Sequence, residues 1–257
     1  MDDSSCYQFP EPLREGVILA RPNRFIMDVR FGGEGAAGFA DGEVVRCHCP
    51  VVSRIGGLDL AGRPCLVSDS HNPKRKLPLT VEAFSLDRPE DAAKRWIGIN
   101  QNASNRYVEH FLRTGAFDGL LGPVAEVRRE VVLGDSKLDF LVNDEVYLEV
   151  KTPMVQIQTE IPAYVPRLPE VPFSSTERAM RHLRQLAASL ESHQRAVILY
   201  CLYYDNFGFQ FYRGTTYDEV QATVRACEAA GVELVQANFA ISPAGVRLKE
   251  FFPLKNW

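Results

Sequence analysis

Residues 138 to 151, LDFLVNDEVYLEVK, leave little freedom in how they fold. Apolar side chains recur at every second position on both sides of Asn143-Asp144-Glu145: Leu138, Phe140 and Val142, then Val146, Leu148 and Val150. That period belongs to strands. A three-residue turn pairs Val142 with Val146 and brings the two apolar faces together. A two-residue turn slips the register and mixes apolar with polar positions, so the pattern rejects it. The accepted register sets Asp139 opposite Glu149, and Lys151 follows on the same face.

Directly opposed strand residues have Cβ atoms roughly 5 Å apart, and like charges there repel. A divalent cation, Mg2+ or Mn2+, is the natural neutraliser, because hard cations take carboxylate oxygens and keep sites for water and phosphate. Two carboxylates and a lysine suit phosphodiester hydrolysis: a metal polarises the phosphoryl oxygen and acidifies a water, and the ammonium orients that water or offsets developing charge. A solvated hairpin face carries the same residue types, so the spacing leaves both readings open.

The chain-wide charge narrows the partners. A net charge of −4 over 257 residues, with 46% apolar residues, gives an ordinary globular composition and no global attraction to a polyanion. Any nucleic-acid site must be a local patch. Met1-Asp2-Asp3-Ser4-Ser5 lacks the apolar core of a signal peptide, and the longest apolar run, Ala196 to Tyr204, is too short for a membrane span. A cytoplasmic location without membrane association is the expectation. Cys47-His48-Cys49 has no second ligand pair to complete a zinc site, and alternation turns both thiols to one face as small core residues. His48 reads as a packed barrel residue rather than a general base.

Residues 13 to 100 are strand-like and rich in turns. GVILARPNRFIMDVRF, GEVVRCHCPVV, RPCLVSDS, KLPLTVEAFSL and RWIGIN read as five short strands of a small closed or half-open barrel, with the OB type the leading candidate. Gly32-Gly33 and Gly35 through Gly42 make a loose first hairpin. Residues 101 to 257 change character. A helix over 105–115 precedes strands near 124–133, 137–142 and 146–151, and a proline-rich connection from Pro153 to Pro172 follows. Ser174-Ser-Thr-Glu177 matches a capping box that opens a helix to about Ser192. RAVILYCLYY reads as a fully buried strand, TYDEVQATVRACEAAG as a second helix, and VELVQANFAIS as the last strand. The fold class is mixed α/β.

The acidic hairpin ending in Glu-x-Lys, within that element order, resembles the restriction-endonuclease-like fold and its PD-(D/E)xK site. Longer segments extend the likeness: Ser68-Asp-Ser-His-Asn-Pro-Lys-Arg-Lys-Leu77 with Thr80-Val-Glu82, Asn105-Arg106 with Glu109, Arg128-Arg-Glu130, Ser136-Lys-Leu-Asp139-Phe, Tyr147-Leu-Glu149-Val-Lys151, Thr176-Glu-Arg178 with His182-Leu183, and Ala230-Gly-Val232. Together they resemble the sugar fermentation stimulation protein family from about residue 13 to 254. The resemblance implies an N-terminal OB-like domain, a C-terminal nuclease-like domain and DNA binding, with a regulatory role in sugar metabolism attached to the family. Departures stand at Val51-Val52-Ser53-Arg54, at Thr152-Pro153 and at Pro172-Phe173-Ser174.

On that resemblance Asp139, Glu149, Lys151 and Glu109 are the catalytic candidates, with Asp139, Glu149 and Glu109 as metal ligands. Glu109 sits mid-helix where this fold places an extra acid, although an ion pair with Arg106 at i−3 is the alternative. Lys74, Arg75 and Lys76 between barrel strands, beside Arg21 and Arg24, form a candidate phosphate track. Arg178, Arg181 and His182, with Gln185, make a polar stripe that suits either nucleic acid or solvent. The expected partner is DNA, with RNA and a homodimer left open. A metal-dependent nuclease and a non-catalytic DNA-binding regulator both remain.

Overall fold

The computed structural model describes residues 6–32, 38–134, 136–169, 177–211 and 217–255. Part of the glycine-rich hairpin (33–37) and the start of the capping box (174–176) lie outside the described residues.

The first barrel segment is two strands rather than one. β2 (Arg14–Asn23) and β3 (Ile26–Arg30) run antiparallel, because the Phe25 amide donates to the Asn23 side chain at 2.8 Å and reverses the chain. With β4 (Val44–His48), β5 (Pro64–Asp69) and β6 (Leu79–Ser85) they lie in the order β4-β3-β2-β5-β6. A β4–β6 pairing at His48 and Thr80 closes the ring, so the five-stranded OB-like barrel is present. Cys47 and Cys49 are buried in its core as free thiols, and His48 is half-buried. RWIGIN, expected as the fifth barrel strand, instead supplies β7 (Trp96–Gly98), which pairs with the end of β6 outside the closure.

The second sheet has seven strands. β8 (Val127–Leu133), β9 (Ser136–Val142), β10 (Val146–Lys151), β11 (Arg195–Leu202) and β12 (Glu233–Ile241) follow the predicted sequence order. β10, β11 and β12 are parallel, with α3 (Glu177–Ser189) and α4 (Tyr217–Ala229) as the crossovers. α1 (Ser104–Arg113) and the short α2 (Asp118–Leu121) both come before β8. Each longer helix buries one apolar stripe: Val220, Val224 and Cys227 on α4, and Met180, Leu183 and Leu186 on α3. β11 is buried along nearly its whole length, as a central parallel strand must be.

Two strands were not legible in the pattern. β13 (Gly245–Pro253) pairs with β12, and β1 (Cys6–Gln8) pairs with β13, so residues preceding the barrel extend the far sheet. Arg247, Lys249 and Glu250 break the apolar signal of β13, and three residues are too few to show a period in β1.

The barrel and the sheet are packed together. One buried apolar cluster runs from Ile18, Met27 and Phe84 through Met154 and Ile157 to Leu183 and Ile198. At the seam, the Gly98 amide donates to the Tyr203 carbonyl at 3.1 Å, and a Cβ placed on Gly98 would stand 2.6 Å from that of Tyr203. Gly98→Ala is therefore expected to destabilise the chain by about 2 kcal/mol. Thermal unfolding should show a drop of roughly 4–8 °C. An unchanged melting temperature would mean that the seam yields.

Candidate active site

The hairpin has the register its apolar pattern demanded. Val142 pairs with Val146, Leu141 with Tyr147, and Phe140 with Leu148. Asn143 and Asp144 take left-handed φ values of 52° and 58°, a conformation that Asn and Asp tolerate better than most residues. The next residues along are Asp139 and Glu149. Here side chains replace the ladder: the Val150 amide donates to Asp139 Oδ2 at 2.8 Å, and the Asp139 amide donates to Glu149 Oε2 at 3.3 Å. On the other side of β9, Glu130 lies between the Arg129–Phe140 and Val131–Leu138 pairs with a φ of 53°. The backbone is irregular on both flanks of Asp139, as is common beside functional sites.

The hairpin's second face is covered rather than solvated. Leu141, Tyr147 and Glu149 are all buried, Glu149 at 2% exposure. α3 supplies the partner: His182, also buried, donates from Nδ1 to Glu149 Oε1 at 2.5 Å, and the Lys151 ammonium reaches the same oxygen. His182 is thus withdrawn from the exposed stripe expected of it, since a buried carboxylate must be paired. Arg181 remains exposed, and the side chain of Arg178 lies outside the described residues.

Two neighbouring carboxylates are driven apart by their surroundings. Burial first, and the Glu149 charge second, hold Asp139 above the ordinary aspartate range, against the pull of Val150, Asn105 and Lys151. Burial alone pushes Glu149 upward too, but the His182 hydrogen bond and the Lys151 ammonium outweigh it and hold Glu149 below its usual range.

α1 contributes Asn105, whose side-chain amide donates to Asp139 Oδ1 at 2.6 Å. This contact was not singled out from sequence, although Asn105 stands in the family-like motif; an amide on a helix carries no charge signal. Glu109, one turn on, accepts from Arg113 at 2.9 Å and from Arg129 at 2.9 Å. Its ion pairs are with these two arginines and not with Arg106. Thr152 ties the strand end to α1 and its approach: its hydroxyl meets that of Ser104 at 2.8 Å, and its carbonyl accepts from Gln101 at 2.6 Å.

The barrel cations divide. Arg21 is spent on the chain itself, donating to the carbonyls of Arg24, Val51 and Ser53. Arg24 lies over the Phe25 ring, 4.8 Å from its centroid. Lys74 and Lys76 are exposed on the β5–β6 loop, and half-buried Arg75 donates to the Thr80 hydroxyl at 3.3 Å.

Among the described residues, no group of three or more His, Cys, Asp and Glu side chains is arranged to hold a metal ion. The donor set is smaller: two facing carboxylates, one held above its usual range by burial and by the other's charge, with the Val150 carbonyl between Glu149 and Lys151. Hard oxygens in that number fit a magnesium-type ion that retains several waters.

His182→Ala leaves Glu149 buried without its strongest favourable contact. A cost of about 3 kcal/mol is expected at pH 7, or roughly 6–12 °C in melting temperature. Because Glu149 is depressed in the folded chain, its contribution is present above the ordinary value of 4.5 and is lost as pH falls through the lower folded value. The gap between parent and variant should therefore narrow in acid. Scanning calorimetry from pH 3 to 7 checks this, and a gap that widens in acid would contradict it.

Comparison with known proteins places the whole chain. Residues 102–245 match the family model described as the sugar fermentation stimulation protein RE domain, and residues 19–99 match the SfsA N-terminal OB domain. A sugar fermentation stimulation protein homolog of Synechococcus elongatus is 33% identical over 255 residues, covering 97% of this chain and 98% of the relative. One from Pseudoalteromonas atlantica is 32% identical, covering 96% and 99%. The structure of Pyrococcus furiosus SfsA in complex with Ca2+ superposes with a TM-score of 0.71 at 19% identity, covering 97% of this chain and 98% of that one.

Proposed function

Because the chain belongs to the sugar fermentation stimulation protein family, in which a relative of the same fold was solved with Ca2+, we propose that it is a DNA-binding protein whose Asp139–Glu149–Lys151 site performs divalent-metal-dependent phosphodiester hydrolysis. The observation that carries this reading is the meeting of Asp139 and Glu149 across the hairpin, with Lys151 on the same strand end. Asp139, Glu149 and the Val150 carbonyl are the groups that would hold Mg2+ or Mn2+. Such an ion supplies Lewis-acid polarisation of the phosphoryl oxygen and a water of lowered pKa.

The chain's own residues do the rest. Asn105 and the Val150 amide fix the two oxygens of Asp139, and His182 fixes Glu149. Both carboxylates are thereby preorganised before substrate arrives. Lys151 cannot ligate a cation, so its charge serves the attacking water and the phosphoryl oxygens. Exposed Lys74, Lys76 and Arg181 are among the cations available to the DNA backbone.

One observation favours a second reading. Lys151 and His182 both contact the same oxygen of Glu149, which suits a DNA-binding regulatory protein that does not turn over. Incubation of single- and double-stranded DNA and RNA with Mg2+ and with Mn2+ separates the two. Cleavage is expected, abolished in Asp139→Ala and lowered about 10²-fold or more in Lys151→Ala. Binding without cleavage under every condition would select the regulator.

A further inference from the structure

Arg106 is an exposed cation immediately beside the site. It follows Asn105, the residue bonded to Asp139, on α1. Its guanidinium lies over two rings, 5.6 Å from the centroid of Tyr7 and 5.4 Å from that of Tyr107. The rings themselves pack at 5.0 Å. Among the described residues, no acidic side chain stands within ion-pair distance of Arg106. Stacking, with a contact to the Tyr107 hydroxyl, fixes the plane of the fork, and its remaining N–H groups are left to an external acceptor.

The surroundings connect this fork to the barrel. Glu82 on β6 is 4% exposed, accepts from Ser68 at 2.6 Å and from Asn100 at 2.8 Å, and acts electrostatically on Arg106. Thr80 shares the Glu82 face of β6 by strand alternation, and Arg75 donates to Thr80. His48 feels both Arg75 and Glu82. Glu82 thus couples electrostatically to Arg106 on the helix that holds Asp139, and the Arg75–Thr80 contact lies on the same face of its strand. This gives β1 a purpose as well: its Tyr7 is half of the support under Arg106.

On the reading that the chain binds and cuts DNA, we propose that Arg106 is a backbone-phosphate-binding residue joining the Lys74–Lys76 loop to the Asp139–Glu149 site in one continuous phosphate path. The chemistry is bidentate: a planar, preoriented fork donates to two oxygens of one phosphate, which an ammonium cannot match. Arg106 positions the strand and does not touch the reacting bond.

The test is fluorescence anisotropy of labelled duplex and single-stranded DNA, with an RNA arm, on the full chain in EDTA and in Ca2+ over a series of salt concentrations. Arg106→Ala should weaken binding about tenfold and reduce the slope of log K against log salt by about one. Arg106→Lys should keep the slope and remain at least about threefold weaker than the parent, because the charge survives and the fork does not. Arg88→Ala is the control: Arg88 stacks on Tyr164 at 4.7 Å but is paired with Glu90, and its loss should change neither quantity. A parent that binds while Arg106→Ala matches it in affinity and slope overturns the assignment. So does a weaker Arg106→Ala with an unchanged slope and a lowered melting temperature, which would mark a structural stack. A parent with no salt-dependent binding overturns the proposed function itself.

Discussion

The negative charge on Glu149 organises everything around it. A carboxylate at 2% exposure is tolerable only with partners, and the chain supplies them from three places: His182 from the crossover helix, Lys151 from the same strand, and the Asp139 amide from the adjacent strand. Each partner constrains its element. α3 must lie over β10 so that His182 reaches Oε1. β9 must open its ladder so that the Asp139 and Val150 amides donate to the Glu149 and Asp139 carboxylates. A site of this kind is preorganised at the expense of regular pairing, and the left-handed Glu130 beside it is part of the same departure.

The barrel is tied to this site mechanically rather than merely strung to it. β7 leaves the barrel and meets Tyr203 at the close approach of Gly98, a single 3₁₀ turn over Gln101–Ala103 follows, and α1 then begins beside Thr152 and Asp139. Buried apolar contacts run across the seam. Nucleic acid held by the barrel would thus be held in a fixed relation to the carboxylates, which proximity effects in catalysis require.

What the sequence disclosed and what it hid follow from the range of the interactions. Period two in Leu138–Val150 specified the hairpin, its turn and the meeting of Asp139 with Glu149, because a register slip would expose an entire face. Helical stripes and the uniformly apolar β11 were equally plain. By contrast, His182 looked like a member of a polar stripe, since nothing within α3 tells that a buried carboxylate waits 33 residues away. Arg21 looked available for phosphate, yet the carbonyls that occupy it belong to residues some 30 positions on. β1 and β13 were missed for want of a continuous apolar signal, and Tyr7 with them.

The central claim is that Asp139 and Glu149 together hold a divalent ion, and titration calorimetry with Mn2+ tests it most directly. The parent should bind, and Asp139→Ala and Glu149→Ala should lose that binding. Lys151→Ala should bind at least as tightly as the parent, because the ammonium that shares Glu149 Oε1 is gone. If Asp139→Ala binds Mn2+ like the parent, the facing carboxylates are a structural pair and not a metal site.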